Sequence, residues 1–222
     1  MVTALESRAA LQLVTGGAID TATALLASST GSPEARRLVL LDAVPELIGY
    51  FSEGSAALAV DFYEEERDVA GVRGRSFTTE LVVNDRTVKI RRGIAWAAEP
   101  LFEGAEDVSA QRLAEVVQLE TARPYRDTIT ANRRRDPEAI GWRRISSGRG
   151  CGFCKALADK GAIFRQETAR FAAHENCHCT AQPVFGPNDT GEEASALQYI
   201  ASKRHRTPAE KQAIRDWIAA YE

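Results

Sequence analysis

Apolar residues recur three and four positions apart through most of the chain before residue 135, the spacing of helices with one buried face. Residues 3–29 are rich in Ala, Leu and Thr. Gly16-Gly17 interrupts them, so two short helices or one broken helix are expected. Ser32-Pro33 opens a further helix, with Ser as N-cap and Pro in the first helical position. Leu38, Leu41, Val44 and Ile48 supply its apolar stripe, and Pro45 either kinks it or opens the next helix. A second helical run through Ala57, Leu58, Val60, Phe62 and Glu65 ends in an acidic cluster, after which Gly71 and Gly74 mark a loop.

Residues 76–90 allow two expectations. Leu81, Val82 and Val83, then Asn84-Asp85, then Thr87, Val88 and Ile90 suit a short hairpin, but a loop entering a helix at Arg86 suits them too. Pro100 should end the helix that carries Trp96. A long helix is expected from about Ser109 to Arg134, built on Leu113, Val116, Val117 and Ile129, with a kink at Pro124. Beyond it the pattern changes. Lys155 to Gly161 form a short helix closed by Gly, and Ala162-Ile163-Phe164 and Thr180 to Phe185 look extended. Residues 186–206 contain few core-type residues and serve as a linker. Thr207-Pro208-Ala209-Glu210 is a capping box that opens a last helix, with Ile214, Trp217, Ile218 and Tyr221 on one face. That face needs a burial partner, and residues 207–222 are expected to dock on one.

The fold class is therefore mainly α, with a small α+β segment held by a metal. A helical domain spans 1–144, a metal-binding module 145–185, the linker 186–206 and a docking helix 207–222. Composition narrows the function classes. Hydrophobic residues make up 44% and charged residues 27%, and the formal net charge is −3, so no global nucleic-acid signature exists. Neither a run of 18 apolar residues nor a secretory leader is present, so no membrane segment is expected. Charge is nevertheless uneven. Residues 123–149 hold eight arginines against three acids. A solvated helix end explains most of these cations, while Arg133, Arg134, Arg135, Arg143 and Arg144 are candidates for contact with nucleic acid or an acidic partner.

Chemistry concentrates in one stretch. All four cysteines lie between residues 151 and 179, as Cys151-x2-Cys154 and Cys177-x-Cys179, with His174 and His178 beside the second pair. A thiolate pair can bind one face of a tetrahedral ion, and a second pair from a distant turn can close the other. One structural zinc is the expected cofactor. Cys151 and Cys154 form one end, and His174, Cys177 and Cys179 offer three groups for the two remaining places. Cys177 and Cys179 are favoured, because alternate residues of an extended segment share a face. Disulfides would need an oxidising setting.

His174-Glu-Asn-Cys-His178 also matches the H-E-x-x-H pattern of zinc proteases. That motif needs a helix and an open coordination position, whereas this one runs into an extended, Pro183-containing segment beside thiolates that close the site. The nucleobase-deaminase order, H-x-E before P-C-x-x-C, is reversed here. No glycine-rich phosphate loop and no G-x-S-x-G elbow occur. A non-enzymatic role is expected.

Trp142-Arg-Arg144, Cys151-Gly-Phe-Cys154 through Gly161-Ala-Ile, and His174-Glu-Asn-Cys177-His-Cys179-Thr-Ala-Gln-Pro183 together resemble the C-terminal half of actinobacteriophage minor head proteins of the MuF-like group. Ala59 to Tyr63 and Tyr125 to Ile129 are similar to further blocks, so the resemblance covers roughly residues 45–185. It implies a minor capsid protein that takes part in head morphogenesis in the host cytoplasm and resides in the virion, at the portal vertex or head interior. Portal protein and major capsid protein would be its partners, with packaged DNA as a further one. The alternative is a metal-dependent hydrolase or DNA-binding protein acting at the head during packaging or genome entry.

Overall fold

The computed structural model describes residues 2–74, 76–146, 152–159, 163–165, 171, 173, 177–186, 207–209, 212 and 216. Helix α1 (Ala4–Ser28) begins with a reciprocal capping box between Thr3 and Glu6. It is one continuous helix. The expected break at Gly16-Gly17 does not occur, because Leu11, Ala18, Ala22 and Leu26 are buried along a single stripe. Packing of that stripe outweighs the roughly 0.5–1 kcal/mol that a helical glycine costs. At Gly17 a side chain would crowd the Phe51 ring at 3.3 Å, so glycine lets α1 lie close to its neighbour. By length and mean hydropathy (1.3 over its most apolar window), α1 could also cross a membrane, despite lacking an unbroken apolar run. Here it packs against the helices that follow.

Ser32 caps helix α2 (Pro33–Val69), its hydroxyl accepting from the Ala35 N–H at 3.3 Å. The two helical runs read from the sequence are one 37-residue helix. Pro45 sits inside it. A proline there leaves the carbonyl four residues earlier without its donor. That carbonyl, of Leu41, instead accepts from Arg91 Nη1 at 2.8 Å. Arg91 belongs to helix α3 (Thr87–Ala97), which is followed by a 3-10 turn at Glu99–Glu103 containing Pro100.

No hairpin forms at residues 76–90. Helix α4 (Glu106–Arg135) takes up the polar main chain that a hairpin would have paired. Asn132 accepts from the Glu80 N–H at 2.8 Å and donates to the Glu80 carbonyl at 2.7 Å, and Thr128 accepts from the Val82 N–H at 3.1 Å. Side chains thus do the work of a partner strand. Arg86 and Lys89 reach the Glu120 carboxylate at 2.6 and 3.0 Å.

Strand β1 (Gly141–Ile145) pairs antiparallel with strand β2 (Thr180–Val184), with Trp142 opposite Pro183. The Trp142 main chain bonds to Phe164 on its other side, at 3.2 and 2.7 Å. Pro183 therefore faces a residue that asks it for no N–H. Short helix α5 (Gly152–Asp159) lies between these pieces in sequence.

Two apolar clusters hold the assembly. One joins Ala18, Leu26, Leu40, Val44 and Ile48 to Ile94, Leu101, Leu113 and Val117. The other joins Leu11, Phe62, Tyr63, Tyr125 and Ile129 to Trp142, Phe164 and Ala181, so the strand pair shares a core with the long helices. The described residues of the last helix, Pro208, Ala209, Gln212 and Asp216, are helical and exposed.

At Gly141 an added side chain would collide with Ile163 Cγ2 and press on the Phe164 carbonyl at 3.1 Å. Gly141→Ala should cost about 1–3 kcal/mol, the range for overpacking, read as a lower denaturant midpoint with an unchanged slope. Glu120 gives a pH test. Burial opposes its charge, but hydrogen bonds from Arg86 and Lys89 prevail and hold the carboxyl below its usual 4.5. Its pairs therefore add stability above the unfolded value, lost as pH falls through the folded one. Glu120→Gln should lower stability near neutral pH and flatten its fall on acidification below 4.5.

Candidate metal centre

Three cysteines that the sequence separates meet in the fold. Cys154 lies in the first turn of α5, and Cys177 and Cys179 directly precede β2. Their sulfurs all lie within 4.8 Å of one another, and Cys154 Sγ and Cys177 Sγ are 3.8 Å apart. All three residues are buried, with Phe171 and Ala173 packed against them. An ion about 2.3 Å from each sulfur, the zinc–thiolate distance, sets tetrahedral sulfurs about 3.8 Å apart. Spacing and donor chemistry both suit a thiolate-bound metal. His178, between the two cysteines in sequence, is half-buried and is not part of the sulfur group. Cys151 and His174 lie outside the described residues, as do Ile214, Trp217, Ile218 and Tyr221.

Helix α4 fixes the second end of the site. Arg126 Nε donates to the Cys179 carbonyl at 3.0 Å and Arg126 Nη2 to the Cys177 carbonyl at 2.6 Å. Gln118 Nε2 donates to the same Cys177 carbonyl at 2.9 Å. These contacts clamp the main chain of residues 177–179, and with it the direction in which both thiols point. From β1, Arg144 Nη1 approaches Cys177 Sγ at 3.8 Å. The Phe171 ring lies 3.9 Å from the Arg144 guanidinium and 5.0 Å from that of Arg126, and stacks on Trp142 at 5.5 Å.

This surrounding sets the thiol chemistry. Hydrogen bonds from Cys154 and Cys179 hold the Cys177 thiol far below its usual range, and Arg126 and Arg144 reinforce this against burial. Hydrogen bonding to Cys177 and Cys179, and burial, push Cys154 far above it.

The arginines singled out in the sequence take several positions. Arg144 is buried beside Cys177. Arg133 donates to the carbonyls of Ile140 and Arg165. Arg135 pairs with Glu80 at 2.6 Å, and Arg143 is half-buried within electrostatic reach of Glu66. Arg134 lines an open cleft of about 360 Å³ with Arg123, Asp127 and Phe171. Gln118, Arg126 and Phe171 were not singled out as site residues. Helical spacing holds the signal for the first two: Gln118, Ala122 and Arg126 follow one another at four-residue steps on a buried face.

Protein purified under reducing conditions should carry about one divalent metal ion per chain, as closed cysteine sites do. Cys154→Ser and Cys177→Ser should each abolish it, while His178→Ala should keep it, as elemental analysis would show. Chelation should lower the melting temperature, since ion binding here contributes to folding. An unchanged melting curve in metal-free, fully reduced protein would rule out a stabilising ion.

Comparison with known proteins gives a family and no closer relative. No curated protein and no solved structure matches this chain. Residues 3–202 match the family described as VG15 protein, a match that runs from the start of α1 through the cysteine site and beyond β2. The chain belongs to the VG15 protein family, a viral (phage) gene family.

Proposed function

We propose that this chain is a minor head protein of a tailed phage, of the MuF-like kind, with a structural zinc and no catalytic activity of its own. The observation that carries the structural role is the burial of Cys154, Cys177 and Cys179 under Arg126, Arg144 and Phe171. A catalytic zinc keeps one position for water or substrate, whereas a structural one is closed by protein ligands. Cys151, beside α5 in sequence, is the favoured fourth ligand, and His174 is a substitute or a hydrogen-bond donor to the site. Zinc suits the donors, because thiolates select soft or borderline ions over calcium and magnesium. Membership of a phage gene family supports a place in the virion or the infected cell. The motifs around Trp142, Cys151 and Cys177 support the head as that place.

Residues 207–222 are the proposed docking element, reaching the portal or the major capsid protein through Ile214, Trp217, Ile218 and Tyr221. Burying four such side chains is worth roughly 1.5–3 kcal/mol each, enough to hold a short helix on a partner. The exposed Gln212–Asp216 pair, 2.7 Å apart, supports the outer face of that helix.

The test combines location with truncation. In purified virions the protein should be found in the head fraction in few copies. A chain ending at residue 206 should remain soluble and metal-loaded yet no longer co-purify with heads. Normal incorporation of that truncated chain would refute the docking role. Absence from virions, with salt-sensitive DNA binding by the pure protein, would favour the packaging alternative.

A further inference from the structure

We infer that the chain associates head to tail, with Tyr50 of one copy seated in a cleft between α2 and α4 of the next. The contact is separate from the cysteine site. Pro45, Ile48 and Gly49 of α2, Val83 and Ile90, and Pro124 of α4 line a cavity of about 250 Å³. A cavity of about 150 Å³ already holds benzene, so this one has room for a phenol ring. It opens at the surface, where its rim residues Val83, Asn84 and Thr87 are exposed. Gly49 helps to make the space, since a side chain built there would meet nothing within 4 Å.

The cleft also asks for a hydrogen bond. Ser52 lines it, is 4% exposed, and its hydroxyl has no partner among the described residues. Pro124 deprives the Glu120 carbonyl of the donor that a regular helix supplies. A buried polar group left unpaired is costly, so an occupant must bring a polar group as well as an apolar body. A tyrosine side chain brings both, a flat apolar ring and a hydroxyl that donates and accepts.

Tyr50 presents that side chain on the chain's own surface. It is 74% exposed, with a ring contact to Phe51 at 5.3 Å, and its hydroxyl has no partner among the described residues. At 3.6 residues per turn, Tyr50 points about 150° away from the mean direction of Pro45, Ile48, Gly49 and Ser52. Knob and cleft therefore lie on opposite sides of α2, which makes the contact heterologous rather than two-fold. Charge supports the pairing. From Leu38 to Glu66, α2 has no Lys or Arg, and exposed Glu46 and Glu53 stand one turn to either side of Tyr50. Helix α3, which walls the cleft with Thr87 and Ile90, has no acid in its 11 residues and exposes Lys89, Arg91 and Arg92. Lys89 and Arg91 have partners within the chain, whereas Arg92, Glu46 and Glu53 have none among the described residues. An acidic knob thus meets a cleft beside a basic helix.

The test is reciprocal complementation in the full-length, reduced chain, read by sedimentation velocity. Wild type should gain mass with concentration, and less so at high salt, which screens exposed charges. Tyr50→Ala keeps the cleft and Gly49→Leu fills it. Each should weaken self-association about 30-fold, the loss expected for an interface hot spot. Mixed in equal amounts, the two variants should form a dimer that grows no further, because each supplies what the other lacks. Arg92→Glu, an exposed change, takes the place of Gly49→Leu should that variant not fold. A wild-type chain that stays monomeric at its highest soluble concentration would overturn the inference. So would single variants that associate as wild type does, or a mixture no heavier than its parts.

Discussion

Helix α4 runs through the middle of the molecule with few large apolar residues, so much of what it buries is polar. Gln118, Glu120, Thr121, Arg126, Thr128, Thr130 and Asn132 are all buried along it. A buried donor or acceptor without a partner costs about 1–3 kcal/mol, and the elements around α4 supply many of the partners needed. The extended segment before α3 gives its main chain to Thr128 and Asn132. Arg86 and Lys89 come from the start of α3 to Glu120. Ser7 of α1 lies 2.6 Å from the Tyr125 hydroxyl. Carbonyls of the cysteine segment meet Gln118 and Arg126. The apolar clusters give the fold its bulk, while polar satisfaction along α4 sets where each loop must run.

That division explains what the sequence made legible. Apolar periodicity sufficed for the helical character of α2, though as two runs rather than one helix, for α4 within three residues of its expected start, and for the extended character of Thr180–Val184. Pairing of the cysteines sufficed to bring Cys154, Cys177 and Cys179 together. Periodicity failed where a tertiary partner overrode a local signal. Gly16-Gly17 would break an isolated helix, yet Phe51 packs against that turn. Of the two expectations for residues 76–90, the loop entering a helix at Arg86 holds and the hairpin does not: the Glu80 and Val82 main chain is taken by side chains some fifty positions further along, and Thr87 opens α3. Arg126 and Gln118 escaped notice for a related reason: a polar residue on an inner face looks, in one sequence, like one on an outer face.

Both long helices contain a proline, and neither proline ends its helix. In α2 the freed Leu41 carbonyl is taken by Arg91, so the irregularity becomes a tie between two helices. Pro45 and Pro124 also line the same small cavity of about 250 Å³, next to Glu120 and Arg86. Lost helical hydrogen bonds and a buried ion pair are thus gathered in one region, with the rest of each helix left regular.

Pro183 has an effect beyond the ladder it belongs to. Because Trp142 turns its main chain toward Phe164, the Trp142–Pro183 pair exchanges no hydrogen bonds, and the Pro183 main chain faces the far edge of β2. Among the described residues no strand occupies that edge. β2 is nevertheless buried at Thr180, Ala181, Pro183 and Val184. A buried main chain without a strand partner must find its hydrogen bonds elsewhere, and each donor left over is costly. With proline at that position, the inner edge of the small sheet has one donor fewer to satisfy.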